Sequence, residues 1–160
     1  YAIKNFVYNF NLTKANATSS QSIFSGNSFI YPNEKAYLIF PNTAYQPSPG
    51  EKIEIALSNL EWAKKENFEK PEIVVKNYNI IETQEGIRIE GAISNDTFSP
   101  TSDVRIFAIL QNQFQKAIGV SETLIDLEAK QSANFSIFHP PIEGFQRELT
   151  IIDFSTLPNN

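Results

Sequence analysis

The chain contains a single histidine, His139, and histidine is the side chain best suited to proton transfer at neutral pH. A Ser–His–Asp relay would need it, yet the sequence has no Gly-x-Ser-x-Gly turn to present a nucleophile. His139 shares its alternation with Phe135 and Ile137 and precedes Pro140-Pro141. The spacing therefore predicts a structural histidine at the end of a β-strand and no catalytic residue.

Paired carboxylates are the next possibility, because two facing acids can hydrolyse a glycosidic bond. The chain has 18 acidic residues, and its glutamates gather in a charged stretch near the middle and around one turn. Solvated charge is normal in both places, so we predict that no catalytic pair forms and that the chain is not an enzyme. The candidates are Glu61, Glu66, Glu69, Glu72, Glu82, Glu85 and Glu90.

Metal and cofactor sites find little support in the residue types. Asn95, Asp96 and Asp103 bracket one loop and could offer hard oxygen ligands to Ca²⁺, but these residues also form ordinary turns, which we favour. The absence of cysteine removes thiolate ligands and cysteine nucleophiles. The six glycines are widely separated and form no phosphate-binding loop. We expect no metal and no cofactor.

The charge of the chain argues against nucleic acid as a partner. Only 13 basic residues occur, the net charge is −5, and the basic residues never cluster beyond Lys64-Lys65. A polyanion binds through clustered Lys and Arg side chains, so we expect no nucleic-acid binding. The expected partner is another protein, or a second copy that associates through sheet edges.

Several aromatic and asparagine residues are candidates for surface roles. Aromatic rings in strands are more often buried than exposed for sugar binding, and we place Trp62 at the interface between the two halves. The aromatic candidates are Tyr37, Tyr45, Trp62, Tyr78 and Phe98. The Asn-x-Ser/Thr sequons are at Asn11, Asn16, Asn95 and Asn134, of which the first three are expected in loops or at strand ends, where a glycan can be accommodated.

The composition favours β-structure as the framework for these residues. Hydrophobic residues make up 41% of the chain and include 13 Phe and 6 Tyr but no Met, and such aromatic and β-branched side chains suit pleated sheets. In the first half, residues 3–12 alternate apolar and polar side chains. Ile53, Ile55 and Leu57 also alternate, but Leu60 and Trp62 follow on the opposite parity, which predicts a bulge near residues 58–59.

A charged stretch, residues 63–71, lacks apolar periodicity and predicts a linker, with a domain boundary near residue 70. Beyond it, alternation over residues 87–93 predicts a strand with one solvated face. Residues 104–110 are apolar on both parities and predict a central strand. Seven or so short strands bounded by turns are typical of a sandwich. We therefore predict an all-β fold with two small β-sandwich (immunoglobulin-like) domains in tandem, residues 1–70 and 71–160.

The runs at residues 87–95 (IRIEGAISN), 102–112 (SDVRIFAILQN) and 116–120 (KAIGV) follow one another in a recognisable order. With them, residues 72–139 resemble the FxLYD domain, a small immunoglobulin-like module of bacterial and archaeal surface proteins. Its first element, Gly-x-Val-x-Asn, is matched by residues 91–95 (GAISN), and its central strand by residues 102–112 (SDVRIFAILQN). Leu110 takes the place of the leucine in that strand, while Gln111-Asn112 stands where the name-giving Tyr-Asp would be. The resemblance implies an immunoglobulin-like sandwich and no enzymatic activity.

The closing element of that family, Leu-x-Pro-Gly followed by Phe, is present in altered form. Leu127 and Phe135 match, but Ala129-Lys130 replaces the Pro-Gly pair. The whole chain also resembles uncharacterised membrane-anchored bacterial surface proteins, on residues 31–34 (YPNE), 37–42 (YLIFPN) and 60–62 (LEW). That similarity implies a cell-surface location.

Two functions follow as expectations. The first is a non-catalytic, extracytoplasmic module of a cell-surface or envelope protein, with a scaffold, spacer or adhesion role. Because the chain begins at Tyr1 rather than Met, we expect a processed or excised product whose signal or anchor lies upstream. The alternative is a subunit of an extracellular filament, in which the strand-like residues 1–12 are donated to a neighbouring subunit.

Overall fold

A computed structural model describes residues 1–39, 48–67 and 70–156 of the chain. Two compact units are present, Tyr1–Lys70 and Pro71–Asn160, and the predicted all-β fold class is confirmed. Apart from one 3₁₀ turn at Lys65–Asn67, the regular structure of the described residues is entirely β. The strands are β1 (Ala2–Thr13), β2 (Gln21–Ile30), β3 (Lys52–Ala63), β4 (Ile73–Thr83), β5 (Gly86–Asn95), β6 (Thr101–Asn112), β7 (Ala117–Leu127), β8 (Ser132–His139) and β9 (Phe145–Ser155).

Unit 1 contains an antiparallel sheet with the strand order β2-β1-β3. The alternation of β1 places Phe6, Tyr8, Phe10 and Leu12 on one face, where all four are buried. The Tyr8 and Phe10 rings meet edge to face with centroids 5.8 Å apart. Edge-to-face packing is a preferred geometry for aromatic pairs, so the alternation of aromatic residues explains why β1 is the core strand of this sheet.

The predicted bulge in β3 is confirmed. Val7 of β1 faces Ser58 and Asn5 faces Glu61, so three steps along β3 match two along β1. Asn59, inside this irregularity, has a φ of 53°, a left-handed conformation that asparagine tolerates better than most residues. The extra residue returns Leu60 and Trp62 to the face that Ile53, Ile55 and Leu57 occupy, and this explains the switch of parity in the sequence.

Two features of unit 1 differ from the sequence pattern. β2 begins at Gln21, in a stretch rich in Ser, Asn and Gly whose strand propensity is weak, because pairing with β1 orders this segment. Residues 36–39 lie outside any strand, although Leu38 packs against the aromatic cluster of β1. The described strands of unit 1 form one sheet, so a two-sheet sandwich for residues 1–70 stays a prediction.

Unit 2 is a sandwich of two three-stranded antiparallel sheets, β4-β5-β8 and β7-β6-β9. Alternate residues of β5 and β6 point between the sheets and form a nearly pure aliphatic core, which includes Ile89, Ile93, Ile106 and Leu110. The prediction that β6 is central and apolar on both faces is confirmed, since Phe107 on its other face is only 3% exposed. Each buried aliphatic side chain contributes roughly 1.5–3 kcal/mol, so this layer is the main source of stability in a chain without disulfides.

Gly91 lies at a closely packed point of this core. A Cβ at this position would be 2.5 Å from the backbone oxygen of Asn77 and 2.6 Å from the ring of Phe135. Carbon atoms cannot approach a backbone oxygen that closely, and backbone yields less readily than a flexible side chain. The glycine therefore allows β4 and the Phe135 ring to close over the middle of β5.

We expect Gly91→Ala to lower the free energy of unfolding by about 2–3 kcal/mol, because the added methyl overpacks the core. Gly144→Ala is the matched control: it has a φ of 77° and no atom within 4 Å of the added Cβ, so only backbone strain of about 1 kcal/mol is expected. Urea denaturation of both variants measures the difference. Equal losses would show that crowding at Gly91 costs no more than the backbone strain at Gly144, and would contradict the prediction.

Candidate functional site

His139 is the last residue of β8, and both sides of its ring are in contact with the backbone. Its Nδ1 lies 2.6 Å from the Pro140 carbonyl oxygen, which can only accept, so Nδ1 carries the donated proton. A Cβ on Gly119 of β7 would lie 2.5 Å from Nε2, so the ring rests against the glycine backbone. The histidine thus packs β8 of one sheet against β7 of the other.

The described glutamates that the sequence singled out occupy exposed positions. Glu82 pairs with Arg147 at 3.2 Å and so links β4 to β9, while Glu90 is 3.9 Å from Arg88 on the same strand. Such exposed pairs contribute little to stability. The remaining described members, Glu61, Glu66, Glu72 and Glu85, are also exposed, and Glu69 lies outside the described residues.

Asn95 is the most enclosed polar side chain among the described residues, with 0% exposure. Its Nδ2 donates to the Ser99 oxygen at 2.8 Å and to the Leu127 oxygen at 3.4 Å. Its Oδ1 accepts from the backbone N–H and the hydroxyl of Thr97, at 3.0 and 2.6 Å. The side chain therefore closes the loop in which the chain passes from β5 of one sheet to β6 of the other.

The three residues considered for calcium have separate partners. Asn95 is committed to its loop, the Asp96 carboxylate is 3.4 Å from Lys76, and the Asp103 amide donates to Asp126 Oδ1 at 3.0 Å. In residues 1–39, 48–67 and 70–156, no three His, Asp or Glu side chains lie close enough together to hold a metal ion.

The structure contradicts one expectation about the sequons. Asn95 was expected where a glycan can be accommodated, but its amide is buried and its Nδ2 donates to the Ser99 and Leu127 oxygens. A glycan at this nitrogen would require the loop to open. Asn11 is half-buried in β1, Asn16 is exposed in a loop, and Asn134 is exposed on β8.

Lys130 holds the same loop from outside. Its ammonium group lies 4.0 Å from the centre of the Phe98 ring and donates to the Asp96 carbonyl oxygen, and its backbone N–H donates to the Thr97 oxygen at 3.1 Å. Its φ is 56°, in a turn where the Gln131 N–H donates to the Glu128 oxygen. A positive φ at this position of a turn normally favours glycine. Lys130 therefore adopts a left-handed backbone conformation that lysine disfavours.

The described aromatic candidates lie on separate elements. Tyr37 lies beyond the end of β2, Trp62 on β3, Tyr78 on β4 and Phe98 in the loop after β5, and Tyr45 is outside the described residues. The placement of Trp62 at an interface between the halves stays a prediction. Trp62 shares one face of β3 with the other apolar residues of that strand.

We call that row the β3 stripe: Ile53, Ile55, Leu57, Leu60 and Trp62. Ile55 is 52% exposed and Trp62 63%, although Ile55 and Leu57 lie opposite the buried Phe10 and Tyr8 of β1. This strand lies at the edge of its sheet, where the described residues give it one strand neighbour, β1. A contiguous apolar row of this kind is characteristic of a contact surface, and it is the strongest candidate for a functional site.

Comparisons with protein-family models, curated proteins and solved structures find no match for this chain. Within the described segments, no helix has both the length and the apolar character needed to cross a bilayer.

Replacing Asn95 should weaken unit 2 in a graded way. We expect Asn95→Ala to cost about 2–3 kcal/mol, because it strands the hydrogen-bonding groups of Thr97 and Ser99. Asn95→Asp should cost about 3–5 kcal/mol, because it also buries a charge that faces two carbonyl oxygens. Asn134→Ala, an exposed asparagine on β8, should change stability by less than about 0.5 kcal/mol. Chemical denaturation ranks the three variants, and a harmless Asn95→Asp would contradict the proposed loop closure.

Lys130 permits a test in which glycine should outperform alanine. Both substitutions lose the contact with Phe98, but only glycine relieves the positive φ, so Lys130→Ala should unfold about 1 kcal/mol more easily than Lys130→Gly. Thermal and urea unfolding of the two variants give the sign directly. If alanine proved the more stable, the turn would not hold this residue in the left-handed region in solution.

Proposed function

We propose that this chain is a non-catalytic, extracytoplasmic module of a cell-surface or envelope protein, with a scaffold, spacer or adhesion role. One observation carries the proposal: the polar residues best suited to chemistry are committed to packing. His139 joins β8 to β7, Asn95 closes the β5–β6 crossing, and Glu82 pairs across to Arg147. A surface module of this kind acts through its shape and its edges.

The immunoglobulin-like assignment of unit 2 is supported by its topology. An immunoglobulin sandwich places strands A, B and E in one sheet and C and F in the other, with C′ beside C in the variable type. If the strands β4 to β9 are lettered A, B, C, C′, E and F, the sheet β4-β5-β8 has the order A-B-E and the sheet β7-β6-β9 has the order C′-C-F. The sheet changes between β5 and β6, β7 and β8, and β8 and β9 are the connections that this family of folds uses.

Two local features support the likeness to the FxLYD domain. The element Gly91-Ala92-Ile93-Ser94-Asn95 combines a glycine on which Phe135 packs with an asparagine that closes the following loop. Lys130, where that family has glycine, has the positive φ that glycine adopts most readily. The spacing of these residues therefore has a physical basis in this fold.

The filament alternative is less favoured. Donation of residues 1–12 to a neighbour would remove β1, the central strand of its sheet, which pairs with β2 on one side and β3 on the other. Its buried face would lose Phe6, Tyr8 and Phe10 from the unit 1 core. The position of β1 supports a module whose partner, a protein or a second copy, binds at a sheet edge.

Surface location is the part of the proposal that a cellular experiment tests best. In cells that express the full-length protein, we expect an antibody raised against residues 1–160 to label intact cells, and external protease to remove the signal. A cytosolic protein probed in the same cells should stay protected until lysis. Labelling that appears only after permeabilisation would overturn the extracytoplasmic proposal.

A further inference from the structure

β3 is a long sheet edge whose first seven residues include the charged Lys52 and Glu54 but neither a proline nor a bulge. In the described part of the chain it has one strand neighbour, β1, and residues 52–62 are exposed on both faces. An open edge presents unpaired N–H and C=O groups, and natural sheets normally blunt such edges with proline, bulges or inward-pointing charge. β3 has no proline, and its bulge comes only at residues 59–60. Within the described residues, 52–58 therefore form a regular strand whose outer edge has no strand neighbour.

We infer that β3 pairs antiparallel with the β3 of a second copy of this chain, about a two-fold axis at Ile55. In that register Ile53 lies opposite the second copy's Leu57, and Ile55 lies opposite its own equivalent. The two apolar rows then continue across the junction on one face, because directly opposite residues in a sheet share a face. The inference deepens the proposed interaction role and rests on it for its biological meaning.

The side chains of the other face select this register. Centred on Ile55, it places Lys52 opposite Ser58 and Glu54 opposite Ala56, so no like charges meet. A register centred on Glu54 would set two carboxylates directly opposite each other, which is destabilising. A register centred on Ala56 would bring Ile53 against Asn59 in the bulge. Only the Ile55 register pairs all seven regular residues.

A closed dimer follows from this symmetry, because both copies use the same edge. The interface is small, so the association should be weak and reversible. Each copy has a net charge of −5, so salt should strengthen the dimer by screening the repulsion between the copies. Such a salt response is opposite to that of a contact held by ion pairs.

Sedimentation velocity of the full chain, from roughly 10 µM to 1 mM, tests the association directly. We expect a monomer–dimer equilibrium that Ile55→Lys weakens at least about tenfold, since it places two cations across the axis. Leu124→Lys on β7 is the matched control: Leu124 is 55% exposed, close to the 52% of Ile55, and should leave the dimer unchanged. A monomer at every concentration would overturn the inference, as would equal weakening by both variants.

Cysteine scanning fixes the register, because the chain has no native cysteine. Under mild oxidation Ile55→Cys should cross-link fastest, since opposite Cβ atoms lie about 5 Å apart. Ile53→Cys and Leu57→Cys should each cross-link poorly alone, because the equivalent residues are offset by about 13 Å along the strands. Mixing these two variants should restore the cross-link.

These outcomes separate the inference from the proposed function. A preference for Leu57→Cys over Ile55→Cys, or an open polymer instead of a dimer, would overturn the two-fold pairing even in a chain shown to lie on the cell surface. A dimer with the expected register in a cytosolic chain would sustain the pairing and remove the surface role. Because the oxidation test uses small substitutions at exposed positions, it does not depend on the folding of Ile55→Lys.

Discussion

The sandwich of unit 2 depends on the hydrogen bonds that the backbone makes where the chain leaves one sheet and enters the other. Asn95 makes this crossing possible, since its amide bonds to Ser99 and Leu127 while its oxygen accepts from Thr97. Its backbone N–H donates to Gln131, so one residue joins the end of β5, the loop, the end of β7 and the following turn. The hydroxyls of Ser94 and Thr101 nearby are buried without a hydrogen-bond partner among the described residues, which increases the importance of Asn95.

An aliphatic layer forms between the two sheets that this crossing connects. With β5 and β6 held in position, Ile89 and Ile93 meet Ile106 and Leu110 without polar groups between them. The ion pairs, such as Arg147 with Glu82, lie at exposed margins and add little. Hydrogen bonds at the crossing therefore help to determine which residues face each other, and apolar burial supplies most of the free energy of folding.

Local periodicity was enough to predict several elements of this fold. The alternation in residues 87–93, the two apolar faces of residues 104–110 and the parity switch before Leu60 each follow from side-chain geometry within one strand. β2 could not be found this way, because its stretch of Ser, Asn and Gly has weak strand propensity and is ordered by pairing with β1. The role of Asn95 was also hidden, because an Asn before a loop has the same sequence signature whether its amide is exposed or buried.

The exposure of the β3 stripe could not be predicted from the sequence. β1 and β3 have the same alternation, and Phe10 and Ile55 lie opposite each other on one face, yet Phe10 is buried and Ile55 is half exposed. The difference comes from the order of the strands, because the central strand has neighbours on both sides and the edge strand has one. Strand order depends on distant residues and cannot be read from a short window of sequence. A chain that stabilises itself by apolar burial but leaves an apolar row at its edge has not used all of its hydrophobic surface. Contact with another surface would bury this row, and that gain is the physical basis of the proposed association through β3.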